Sequence, residues 1–98
     1  MALYVQNISN TAATVITGST VNKIESMIIA NTHASNAVTI DLYLRLKESP
    51  NTLYYILNNT VIPNGASLML SRDEIKYNIF EYDLYIVGSS GDLSIIMN

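Results

Sequence analysis

Between residues 38 and 47 the chain alternates without a slip. Val38, Ile40, Leu42, Leu44 and Leu46 are aliphatic, and Thr39, Asp41, Tyr43, Arg45 and Lys47 fall between them. Successive side chains of a strand point to opposite faces, so this spacing puts all five aliphatic groups on one face. A helix, turning once every 3.6 residues, would scatter them around its axis. The segment is therefore a strand with one face to bury, and a second layer must cover it.

The rest of the sequence supplies strands rather than helices for that layer. Period-two alternation recurs at residues 3–8, 13–17, 24–31, 53–58, 66–71, 82–87 and 93–97, which with 38–47 predicts about eight strands. Within 24–31, Met27, Ile28 and Ile29 are apolar on both faces, as in a strand inside a sheet with cover on two sides. Turn chemistry separates the segments. Pro63-Asn64-Gly65 predicts a tight reversal between Val61-Ile62 and the 66–71 strand, with proline at the first central position. Ser49-Pro50-Asn51 and Gly88-Ser89-Ser90-Gly91 mark two more breaks. Only the stretch from Ser71 to Lys76 suits a helical turn, with Ser71 as N-cap and Glu74 three residues on. The expected architecture is all-β: an antiparallel two-sheet sandwich, jelly-roll or immunoglobulin-like, with at most one short helical turn.

A chain of 98 residues makes a single domain, 1–98, in which residues 1–20 read as an extended N-terminal arm or an edge strand. Charged residues are 13% of the chain against a usual share of about 25%, and the net charge is only −3. Asn, Ser and Thr carry the polarity instead, leaving a neutral surface weakly protected against association. Residues 2–22 carry no charge at all, which suits a segment that adds a strand to a neighbouring chain's sheet edge. Polar residues interrupt them too often for a membrane span, and the basic start of a secretory signal is missing. Lys23, Arg45, Lys47, Arg72 and Lys76 are scattered and outnumbered by eight acids, so no basic patch exists to displace counterions from a nucleic acid. The absence of cysteine removes disulfides and thiolate metal sites.

Chemistry-bearing residues are sparse. His33, the one histidine, sits in the polar run Asn31-Thr32-His33-Ala34-Ser35-Asn36 between two apolar segments. A histidine acts as base or ligand only with an orienting carboxylate and a nucleophile or metal, and the spacing offers neither. His33 is expected to be a solvent or contact residue in a connector whose Asn, Thr and Ser bond their own backbone. Glu81 and Asp83 point the same way on a strand, with Asp73-Glu74 nearby in sequence, but no calcium-loop spacing accompanies them. Asn7-Ile8-Ser9 and Asn58-Asn59-Thr60 match the glycosylation pattern, as chance allows in a chain with eleven asparagines and many Ser/Thr residues. No catalytic, cofactor-binding or metal-binding residue is assigned, and no enzyme activity or cofactor is expected. Seven tyrosines without a tryptophan remain. Tyrosine pairs a large apolar area with a hydroxyl and few rotors, the profile of interface side chains, so Tyr4, Tyr43, Tyr54, Tyr85 and His33 are the candidate contact residues.

The succession "VNKIESMIIANTHASNAVTIDLYL", "LYYILNNTVIPNGASLML" and "YDLYIVGSSGDLSIIMN" resembles small virion proteins of tailed bacteriophages. In those chains a strand ending in Asn-Thr leads through a polar turn to an alternating strand. A strand, Ile-Pro-x-Gly, strand unit follows, and a closing hairpin ends the pattern. The match runs from Val21 onward and leaves residues 1–20 outside. It resembles head decoration, or cement, proteins, and implies a non-enzymatic protein on the outer surface of the capsid, made in the host cytoplasm. The implied partners are the major capsid protein and further copies of itself, most often as trimers. No individual residue carries a role across. A neck, tail or baseplate adaptor of the same virion is the nearest rival, and a small carbohydrate-binding sandwich is the rival of another class.

Overall fold

The computed structural model describes residues 4–16, 26–71, 73 and 81–97. Among them lie eight strands: β1 (Tyr4–Ile8), β2 (Thr14–Val15), β3 (Ser26–Asn31), β4 (Val38–Leu46), β5 (Leu53–Ile62), β6 (Ser67–Ser71), β7 (Tyr82–Gly88) and β8 (Leu93–Met97). They form two four-stranded sheets, β1-β8-β3-β6 (sheet A) and β2-β7-β4-β5 (sheet B). Every pairing is antiparallel. Only the step from β4 to β5 stays within a sheet, and every other connection crosses to the opposite one. This interleaving is that of a jelly roll, which decides between the two sandwich types the sequence allowed.

Alternation builds the core. On β4, Val38, Ile40 and Leu42 are at most 1% exposed, and they face Met27, Ile29, Ile95 and Met97 of sheet A, which are equally enclosed. Each such side chain contributes about 1.5 to 3 kcal/mol by leaving water. The shortest dimension of the molecule is 20 Å, as two layers packed about 10 Å apart with side chains on their outer faces require.

Four local expectations change. The 53–58 strand and Val61-Ile62 are one strand, β5, kept continuous by bulges. Asn58 and Asn59 together oppose Asp41, Ile56 is a second extra residue, and Asn59 takes φ 52°. The Pro63 turn forms, with Ala66 N–H donating to Pro63 O at 3.0 Å and Gly65 at φ 75°. Pro63 is thus the first corner residue rather than the first central one, and the turn carries the chain between sheets instead of closing a hairpin. The same holds for Gly88 to Gly91: β7 and β8 lie in different sheets, so no terminal hairpin exists. β3 is internal, as expected, but only its inward face is fully enclosed, and Ile28 on the other face is half-buried. The helical turn expected from Ser71 to Lys76 lies outside the described residues except at Ser71 and Asp73.

Candidate docking interface

Register brings the tyrosines together. On the outer face of sheet B, Val15 of β2 lies opposite Tyr85 of β7, Tyr85 opposite Tyr43 of β4, and Tyr43 opposite Tyr55 of β5. One row therefore crosses the whole sheet, aromatic on β7, β4 and β5 and closed by Val15 on β2. Tyr43 and Tyr85 stack at 5.7 Å with planes 7° apart, and Tyr43 meets Tyr55 at 5.3 Å, tilted by 47°. Cross-strand aromatic pairs of this kind stabilise a sheet by roughly 0.2 to 1 kcal/mol each.

Its position in the middle of the row buries Tyr43, which is only 8% exposed. Burial raises its hydroxyl above the ordinary tyrosine value; the neighbouring Tyr55, Tyr85 and Asp41 add to the rise and Arg45 opposes it. Tyr43 thus packs between Tyr55 and Tyr85 and offers little surface of its own. The exposed large apolar side chains of this face are Tyr55 (51%), Leu53 and Val61, all on β5. Sequence reasoning missed these three because the bulges reset the alternation that would have marked them.

Charges border the row and are held within the chain. The Arg45 guanidinium lies 5.3 Å from the Tyr85 ring centroid while its Nε–H donates to Pro50 O at 2.8 Å. Lys47 Nζ stands 3.7 Å from Asp83 Oδ1, and Asp41 Oδ1 accepts the Asn59 N–H at 2.7 Å. Arg45, Lys47, Pro50, Asp83 and Tyr85 line a shallow hollow of about 150 Å³ beside the row. Asp83 and Glu81 gather no third ligand: among the described residues no three of His, Asp or Glu converge as a metal site would need.

The remaining candidates fall elsewhere. Tyr54 points to the opposite face of β5 from Tyr55 and meets Tyr82 edge-on at 6.0 Å. Tyr4, on β1, pairs through its backbone with Met97 of β8. His33 sits in the connector between β3 and β4. Its Nδ1 accepts the N–H groups of Ser35 and Asn36 at 3.1 and 3.0 Å, and its Nε2 is 3.9 Å from Asp92 Oδ2. The imidazole thus folds its own turn.

The outer face of sheet A has a different character. Val5, Ile96, Ile28 and Met69 form one transverse row, with Asn7, Ser94, Ala30 and Ser67 in the row beside it. No charged residue stands on this face among the described residues. Val5 and Met69, at the two ends of the apolar row, are 65% and 67% exposed. Plain alternation in Ser67-Leu68-Met69-Leu70-Ser71 marks Met69 as outward from the sequence alone. No protein family, no curated protein and no solved structure matches this chain.

Proposed function

We propose that this chain is a non-enzymatic structural protein of a tailed-phage virion, present in many copies on the outside of the capsid and bound to the major capsid protein. The observation that supports it most is the pair of broad outer faces. One presents Tyr55, Leu53 and Val61 beside a stacked aromatic row, and the other presents apolar and small polar side chains, without charge among the described residues. Faces with these residue types are suited to extended contact with protein, and the jelly roll is a scaffold that capsid domains use, although fold alone does not decide function. The sheet B face is the capsid-facing one in this reading. Copies on a lattice each need only a modest interface, because neighbours fix one another's position and the contacts act together.

The test is to band particles from a lysed source culture on a density gradient and probe the fractions with antibody to this chain. The expected result is co-banding with capsids, copy number scaling with capsid area, and at least tenfold weaker retention of Tyr55→Ser than of wild type. One or two rings of copies would instead place it at the neck, tail or baseplate. The hollow lined by Arg45, Lys47, Asp83 and Tyr85 favours a second reading, a carbohydrate-binding module. Glycan-array binding lost in Tyr85→Ala, with no chain in the particle fractions, would replace the first reading by the second.

A further inference from the structure

The four edges of the two sheets are guarded unequally. In sheet B, β5 is bulged and β2 is two residues long, both devices that keep an edge from recruiting a foreign strand. In sheet A, β1 (Tyr-Val-Gln-Asn-Ile) and β6 (Ser-Leu-Met-Leu-Ser) have no charge, no proline and no bulge. Among the described residues each pairs with one neighbour only, β1 with β8 and β6 with β3.

Alternation tells which backbone groups face outward. Asn31 N–H donates to Ala66 O at 3.0 Å, so β3 and β6 exchange bonds at Ile29/Leu68 and Met27/Leu70, and the backbone of Ser67 and Met69 turns to the open side. Thr32 N–H donates to Asp92 O at 2.9 Å, so β3 bonds β8 at Ala30/Ser94 and Ile28/Ile96. Leu93, Ile95 and Met97 then bond β1 at Ile8, Gln6 and Tyr4, and the backbone of Val5 and Asn7 turns outward.

We propose that β6 of one copy pairs antiparallel with β1 of a second copy, Met69 opposite Val5 and Ser67 opposite Asn7, so that sheet A runs on from copy to copy. The register completes four backbone hydrogen bonds. It also joins like to like across the seam. The two most exposed apolar ends, Met69 and Val5, cover each other and extend the apolar row, while Ser67 meets the amide of Asn7 and extends the polar one. Neither strand brings charge to the seam, so chains of net charge −3 meet there without local repulsion. The contact is head to tail, and such contacts give closed rings or open filaments rather than a two-fold dimer. It stands apart from the virion reading, since it is a property of the isolated chain.

Proline at Met69 or at Val5 removes an outward N–H and leaves the chain's own ladder intact. Wild type is expected to sediment beyond the dimer as concentration rises, with amide exchange at Ser67 and Met69 slowed at least tenfold. Met69→Pro alone and Val5→Pro alone stay monomeric. Mixed in equal amounts they form a heterodimer and stop, because one retains an intact β1 and the other an intact β6. Where a proline variant loses its native spectrum, Met69→Lys and Val5→Lys, both on the outward face, replace the pair. Wild type that is monomeric at every concentration, a single variant that still assembles, or a mixture that fails to complement each overturns the proposal.

Discussion

Asn31 is the one buried polar side chain among the described residues, 6% exposed, and its place shows what the run Asn31 to Asn36 is for. Its amide nitrogen donates to Asn36 O and Ile62 O, both at 2.9 Å, and its oxygen accepts the His33 N–H at 2.8 Å. One side chain ties β3, the connector and the end of β5. Asn31→Ala leaves these backbone groups without their partner and is expected to cost about 2 to 3 kcal/mol in urea unfolding at neutral pH. The sequence shows a connector here, since Asn, Thr and Ser are turn formers. It does not show that Asn31 reaches Ile62, because that contact depends on which strands end side by side. Tyr43 makes the complementary case. Its hydroxyl is raised in the folded protein, so the folded state holds that proton more tightly than the unfolded chain does. The resulting stability is present below about pH 10 and is lost as pH rises through the higher folded value. Unfolding at about pH 9 and about pH 11 should therefore show a larger loss for wild type than for Tyr43→Phe.

At the level of elements, β4 was legible from its alternation alone and β5 was not. The Asn58-Asn59 pair reads as a break because both residues favour turns, yet here they are a bulge. Asn59 occupies the left-handed region at φ 52°, with its N–H held by Asp41. Asn59→Gly should be tolerated within about 0.5 kcal/mol, whereas Asn59→Val, whose branched side chain resists that conformation, should cost roughly 1 to 3 kcal/mol in thermal or urea unfolding. Pro63-Asn64-Gly65 illustrates a second limit. A tight turn fixes where a chain reverses, but the partner of the next strand is chosen by packing. β6 finds β3, whose sequence lies more than thirty residues earlier.

For the whole molecule, an all-β sandwich followed from the alternation and turn spacing. The jelly-roll order did not, since it rests on pairings such as β1 with β8 that span nearly the entire sequence. Such long-range pairing makes folding slow, on the order of milliseconds to seconds. β8 lies at the centre of sheet A, and Ile95 on it is fully enclosed. Ile95→Ala is expected to cost about 2 to 5 kcal/mol, measured as a shift in the urea midpoint with unchanged slope. Composition and tyrosine content suggested a neutral surface carrying tyrosines, but which tyrosine reaches solvent was not legible: Tyr43 is buried within the row and Tyr55 is its exposed member. The pairing of Tyr4 with Met97 has a mechanical consequence. Those residues sit side by side at one end of the β1–β8 ladder, so tension applied through them loads the hydrogen bonds one at a time, like a zip. Tension carried along β1 against its neighbour would load them all at once. Pulled by that pair of residues, the molecule should yield at low force, peeling β1 from sheet A first.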